Sequence, residues 1–231
     1  MKKQYKYLFW DIDDTLIDFK SSEKVALKMC FQQFGVVLTD EDVAVYSQIN
    51  HNYWELLVQG GIEKSTMLTR RFEDFVQQLS LDGIDCHAMN ALYQVKLGDY
   101  AVMTDDGYDV CAQLSRSKKQ YAVTNGTAVA QNKKLQITGL GALFDGIFIS
   151  DVVGYEKPDV RFFQHAFSKI PDFNPEEALM IGDSLSSDMT GANNAGIHCC
   201  WFNPKGKVKG DASIQIDYEI KTLKELFEIV G

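Results

Sequence analysis

The sequence predicts an α/β protein with a doubly wound, mostly parallel sheet and an inserted helical domain. Three observations lead there. Five short apolar or β-branched runs read as buried strands. Four of them pass directly into polar residues suited to chemistry, as expected of an open parallel sheet, whose ligands bind beyond the carboxyl ends of its strands. About a hundred residues separate the first run from the second, far more than one crossover helix requires.

The first run, Tyr5 to Trp10, ends at Asp11. That aspartate stops the apolar stretch long before a signal-peptide core or a membrane span is complete. Leu27, Cys30, Phe31 and Phe34 then recur at helical spacing before Gly35. Thr39 and Asp42 resemble a capping box, opening a second helix that carries Val43, Tyr46, Tyr53, Trp54 and Leu57 and ends at Gly60 and Gly61. Leu68, Phe72, Phe75, Val76 and Leu79 outline a third helix, and Ala88, Leu92 and Val95 a fourth. Residues 17–100 are therefore expected to form a helical domain, with 1–16 and 101–231 as the core.

Within that core the later runs are Gln120 to Val123, Gly146 to Ile149, Ala178 to Ile181 and His198 to Phe202. The first three of these lead into Thr124 and Asn125, into Ser150 and Asp151, and into Gly182 and Asp183. Tyr108 to Leu114, Asp159 to Phe167 and Leu185 to Ala195 supply crossover helices. The stretch Pro204 to Gly210 reads as an exposed loop whose lysines are solvated.

A net charge of -9, from 23 basic and 32 acidic residues, argues against nucleic-acid polymers and anionic membranes as partners. A small anionic substrate must then be attracted locally, by a metal ion or a few cations. The five cysteines, Cys30, Cys86, Cys111, Cys199 and Cys200, include no CxxC pair and are odd in number. A reducing, cytoplasmic location is expected. The four histidines, His51, His87, His165 and His198, lack metal-ligand spacing.

Asp11, Asp13 and Thr15 form DxDxT at the first strand's exit. An EF-hand starting at Asp11 would need Gly at Leu16 and Glu at Ser22, so that reading fails. Asp11, Asp13 and Asp14 could simply solvate a turn, but so many carboxylates at one strand end repel one another unless a cation sits among them. Asp183 and Asp188, in GDSLSSD, follow another strand run and can converge on the same hard cation. Lys157, in Glu156-Lys157-Pro158, is a natural counter-charge. Thr124, Asn125 and Gly126 bring a hydroxyl, an amide and a pliant backbone to the second strand's end; they would equally make an ordinary turn.

Taken in order, DIDDT, TNG, EKP and GDSLSSD resemble the four motifs of the haloacid dehalogenase superfamily. The resemblance spans the chain, because that superfamily joins a Rossmann-like core to a helical cap inserted after the first motif. It implies that Asp11 is a nucleophile and magnesium ligand, and that Asp13 is the general acid and base and a metal ligand through its main-chain carbonyl. It further implies that Thr124 and Asn125 hold the phosphoryl group, that Lys157 neutralises it, that Asp183 ligates magnesium, and that Asp188 supports the metal shell or Lys157. The expected activity is a magnesium-dependent phosphomonoesterase with an aspartyl-phosphate intermediate.

Within the superfamily, Asn50 with Trp54, Gly61, Arg71-Phe72, TNGTAVAQNKKL, TGLGALFDGIFIS and NNAGIHCCWFN resemble bacterial pyrimidine 5'-nucleotidases. A small phosphorylated metabolite is therefore the expected partner, with a nucleoside monophosphate leading. Asn50, Trp54 and Arg71 are candidate specificity residues, although aromatics at helical spacing are commonly core and a helix-borne arginine commonly solvates its helix. Phosphoglycolate and sugar phosphates are alternative substrates. Phosphomutase, haloacid dehalogenase and non-catalytic binding protein are alternative classes; Asp13 argues against the dehalogenase, which has no use for a second motif-one aspartate.

Overall fold

The computed structural model describes residues 3–210 and 212–230. By internal contact the chain divides into two units: Met1–Asp18 with Met103–Ala128 and Leu135–Gly231, and Phe19–Val102 with Val129–Lys134. Val129–Lys134, assigned to the core from sequence, groups with the helices; Ala130 is buried in their apolar cluster.

The first unit holds a six-stranded sheet, every neighbour pairing parallel. Its strands are β1 (Tyr7–Trp10), β2 (Lys119–Thr124), β3 (Gly146–Ile149), β4 (Ala178–Gly182), β5 (His198–Phe202) and β6 (Tyr218–Ile220). Their order is β3-β2-β1-β4-β5-β6, so the winding changes direction between β1 and β4. The sheet is flanked by helices, which explains why its strands read as continuous apolar runs rather than alternating ones. Tyr7, Phe9, Val123, Met180, Cys199 and Trp201 share one face with Phe162, Phe163 and Ala192 of the flanking helices. The intervening Leu8, Trp10, Ala122, Leu179, Ile181 and Cys200 are buried as well.

Two strands depart from expectation. The first strand begins at Tyr7; Tyr5 is buried, but outside the ladder. β6 escaped notice because an edge strand of three residues, one of them exposed, carries too little apolar pattern.

The second unit contains α1 (Phe19–Gln33), α2 (Asp40–Val58), α3 (Lys64–Gln78) and α4 (Cys86–Asp99). α1 presents Ala26, Leu27, Cys30 and Phe31 to the interior. Gly35, with φ of 78°, turns the chain in a conformation most side chains resist. The Thr39 hydroxyl accepts the Asp42 N–H while the Asp42 carboxylate accepts the Thr39 N–H, so two otherwise unpaired donors of α2 are satisfied. At α4 the Asp85 carboxylate accepts from the N–H groups of His87 and Ala88. Tyr46, Phe72, Phe75 and Tyr93 interlock at ring-centroid distances of 5.1 to 5.8 Å. No helix among the described residues is long and apolar enough to cross a membrane.

Candidate active site

Because β1 and β4 are parallel and in register, with Trp10 opposite Ile181, their carboxyl ends finish side by side. The Asp11 N–H extends the ladder one step, donating to Ile181 O at 2.9 Å. Asp11 and Asp183 therefore emerge at the point where the winding reverses, the place where open α/β sheets form ligand crevices.

Around this point carboxylate oxygens of Asp11, Asp183 and Asp188 all lie within 4.8 Å of one another. The Lys157 ammonium donates to Asp11 Oδ1 at 2.7 Å, Asp188 Oδ1 at 2.7 Å and Val123 O at 2.8 Å. All three of its protons are thus used. Thr15 donates its hydroxyl to the other Asp11 oxygen at 3.1 Å. Lys157 and Asp188 are each only 1% exposed, so these charges are stable together rather than singly.

Electrostatics follow from that crowding. Burial, helped by Asp188 and Asp183, pushes the Asp11 carboxyl well above its ordinary value, and Lys157 only partly offsets this. Burial with Asp188 and Asp14 lifts Asp183 to about 7. For Lys157, burial favours the neutral amine, but the carboxylates of Asp11 and Asp188 prevail and hold it protonated above its ordinary range. Three clustered carboxylates, of which Asp11 and Asp183 are raised by burial and by their neighbours, form a donor set suited to a hard divalent cation such as magnesium.

Local sequence sets these positions. Asp14 takes φ of 61°, and Leu16 and Ile17 both donate to Ile12 O at 2.9 Å, folding DIDDT into a tight turn that brings Thr15 back onto Asp11. Gly182 leaves no room for a side chain: a Cβ there would lie 2.3 Å from Asp188 Oδ2. Asp188 in turn accepts the Ser184 N–H at 3.1 Å, and the Ser184 hydroxyl accepts from Ser187 N–H at 3.2 Å, over a π-helical turn at Leu185–Met189. Such turns recur at functional sites.

Asp11, Lys157, Asp183 and Asp188 therefore meet. Asp13 is half-buried in the same turn but outside the three-carboxylate cluster. Thr124 is buried at the end of β2, its hydroxyl accepting from Gly126 N–H at 3.1 Å. The Asn125 carboxamide is committed to Lys157: Nδ2 donates to Lys157 O and Oδ1 accepts Lys157 N–H, both at 2.8 Å. Thr15, named in the sequence only as a member of DxDxT, was given no role there, and Trp201, which donates its indole N–H to Asp183 O at 2.9 Å, and Lys207, 3.3 Å from Asp183 Oδ2, were not singled out. Only Thr15 carried a signal there, as the last position of DxDxT.

In the helical unit Asn50 and Arg71 are buried and bonded to each other. Arg71 donates to Asn50 Oδ1 at 2.6 Å, Asn90 Oδ1 at 3.2 Å and Leu68 O at 3.2 Å, and stacks over Phe72 and Tyr93. Asn50 passes the chain on to Glu23 Oε1 at 2.8 Å. The arginine is thus an interior ion rather than a solvated surface group. Trp54 is half-buried.

The sequence profile of haloacid dehalogenase-like hydrolases matches residues 5–196. YfnB of Bacillus subtilis, named as a HAD-hydrolase, is 33% identical over 99% of this chain and 97% of its own. Its magnesium-bound crystal structure superimposes with a TM-score of 0.94, covering 99% of this chain and 100% of that one. The pyrimidine 5'-nucleotidase PynA of Streptococcus pneumoniae is 32% identical over 97% of this chain and 94% of its own. The pyrimidine 5'-nucleotidase YjjG of Escherichia coli is 26% identical over 98% of each.

Proposed function

Given that the chain belongs to the haloacid dehalogenase-like hydrolases, we propose that it is a magnesium-dependent phosphomonoesterase whose substrates are pyrimidine nucleoside monophosphates. The observation that carries the phosphatase chemistry is the buried Lys157 shared by Asp11 and Asp188, with Asp183 alongside, at the sheet's winding reversal. The nucleotide preference is supported by likeness to PynA and YjjG along nearly the whole chain.

In this reading Asp11 Oδ attacks phosphorus in line with the leaving oxygen. The Asp11 O–P bond forms, the P–O bond to the nucleoside breaks, and the departing alkoxide takes the proton of Asp13. Asp13, now a carboxylate, removes a proton from water, which attacks the aspartyl-phosphate, releases phosphate and restores Asp11. Thr15 and Lys157 hold the two Asp11 oxygens so that the nucleophile meets the substrate in one orientation. Asn125, its carboxamide engaged by the Lys157 backbone, acts by positioning that lysine, while Thr124 remains the phosphoryl-binding group.

Magnesium is assigned to Asp11, Asp183 and the Asp13 carbonyl, with Asp188 supporting Lys157; when bound, it would reduce the repulsion between carboxylates and phosphate. None of these groups recognises the alcohol. Choice of leaving group is therefore assigned to the helical segment 17–100 acting as a cap, with Trp54 as its specificity residue and the buried Asn50–Arg71 pair holding the helices that carry it.

A phosphatase screen with magnesium and with chelator tests this reading. Pyrimidine nucleoside monophosphates are expected to exceed purine nucleotides, sugar phosphates and phosphoglycolate in kcat/KM, and chelator to silence all of them. Hydrolysis with no pyrimidine preference would remove the nucleotidase reading and leave the phosphatase. A rate untouched by exhaustive chelation would remove the metal.

A further inference from the structure

The lysines between Pro204 and Gly210 were expected to be solvated, but Lys207 reaches Asp183 Oδ2 at 3.3 Å while more than half of its side chain stays exposed. The turn that delivers it is built for the purpose. Asn203, 1% exposed, accepts Lys207 N–H at 2.7 Å, and its Nδ2 donates to Lys207 O at 2.9 Å and Glu219 Oε1 at 2.7 Å. The Asn203 N–H donates to Ile220 O on β6 at 2.8 Å, and Gly206, with φ of 63°, supplies the left-handed residue inside the turn. With the Trp201 indole on Asp183 O, β5 and the turn after it hold Asp183 by both backbone and side chain.

Charge balance makes this contact informative. The three protons of Lys157 go to Asp11, Asp188 and Val123 O, so none goes to Asp183. Lys207 supplies the missing cation, giving two ammonium groups for three clustered carboxylates. A divalent ion binding those carboxylates must either displace this ammonium or tolerate it as a like charge a few ångströms away.

We propose that Lys207 is an intramolecular competitor for the magnesium site: it holds Asp183 when no cation is bound, leaves Asp183 on loading, and so sets the magnesium affinity. The inference rests on the magnesium reading above. Part-exposed ion pairs are weak, so the competition is worth about two- to fivefold in affinity. It lets the metal-free protein tolerate its carboxylate cluster and makes loading respond to magnesium concentration.

Calorimetric titration of magnesium chloride into the metal-free parent, Lys207→Met and Lys207→Arg tests it. Lys207→Met is expected to bind magnesium about two- to fivefold more tightly, and Lys207→Arg to stay close to the parent. Lys207→Met should also lower Tm without the metal while matching the parent at saturating magnesium. The side chain is largely exposed, so folding is not at risk. Unchanged or weaker binding by Lys207→Met overturns the proposal but spares the metal site, as does equal tightening in Lys207→Arg, which would show that charge is not the cause. No uptake by the parent overturns both.

Discussion

The nucleophilic role proposed for Asp11 requires a carboxylate, yet its burial beside Asp183 and Asp188 favours the neutral acid. Lys157 and a bound cation are the two agents that restore the charge. Asp11→Asn keeps shape and removes the proposed nucleophile, so turnover should fall about a thousandfold or more with the circular-dichroism spectrum unchanged. Substantial phosphatase activity in a folded Asp11→Asn sample would remove the nucleophile assignment. Asp183 titrates at about 7 in the metal-free fold against 3.8 for an ordinary aspartate. A folded-state carboxyl raised in this way binds protons more tightly than the unfolded one, so metal-free stability declines as pH rises from 3.8 towards 7. Magnesium at the proposed site would need Asp183 ionised, and its hold would weaken as pH falls below about 7. At fixed magnesium concentration, the gain in Tm over a chelated sample should therefore increase across that window. A gain that is flat in pH, or that shrinks, would separate Asp183 from the metal. Asp11, Lys157 and Asp183 were legible in the sequence because each sits where an apolar run stops or a turn residue follows, and Asp188 through its place in GDSLSSD; Trp201 and Lys207 were not, since an indole in a strand and a lysine in a loop look the same whether or not they face an aspartate.

Among the elements, the strand-to-turn junction at Gly182 is the most constrained. A methyl group there would fall 2.3 Å from Asp188 Oδ2 and 2.5 Å from its Cγ. Gly182→Ala must therefore move either the turn or Asp188, and should cost about 1–3 kcal/mol in urea unfolding while depressing activity through the loss of the Lys157–Asp188 contact. A variant with parental stability and rate would mean that Asp188 can move without consequence. Legibility at this scale follows pattern strength. The capping box at Thr39 and Asp42 appears as read, because its two side chains and two N–H groups all belong to four consecutive residues. The crossover expected over Leu185 to Ala195 proves to be a π-helical turn followed by a short helix, Thr190–Ala195. Periodicity alone could not foresee that change, which comes as Ser184 caps the turn and accommodates Asp188 at its own N–H.

For the molecule as a whole, the proposed division is between a sheet unit that handles phosphate and a helical unit that selects what carries it. Trp54 and Arg71 test this division differently. Trp54, half-buried, is the cleaner probe: Trp54→Ala should lower kcat/KM for a pyrimidine nucleotide about tenfold while sparing a small aryl phosphate, which has no remote group to lose. Equal losses on both substrates in a folded variant would detach Trp54 from specificity. Arg71→Ala should instead destabilise the fold by about 1–3 kcal/mol, because it leaves the buried Asn50 Oδ1 without its donor in the interior of the helical unit. A thermal melt distinguishes that outcome from a simple loss of substrate contact. By itself the sequence determined the α/β class, five of the six strands, the four helices of the insertion and the residues at each strand end, because apolar periodicity and turn chemistry are properties of neighbours along the chain. Only the tertiary structure decided that Lys157 is shared between Asp11 and Asp188, that Asn125 grips the Lys157 backbone, that Arg71 is an interior ion and that Lys207 lies on Asp183. Those contacts join residues brought together by parallel strand register and helix packing, and the energy of a buried or shared charge depends on its neighbours in space.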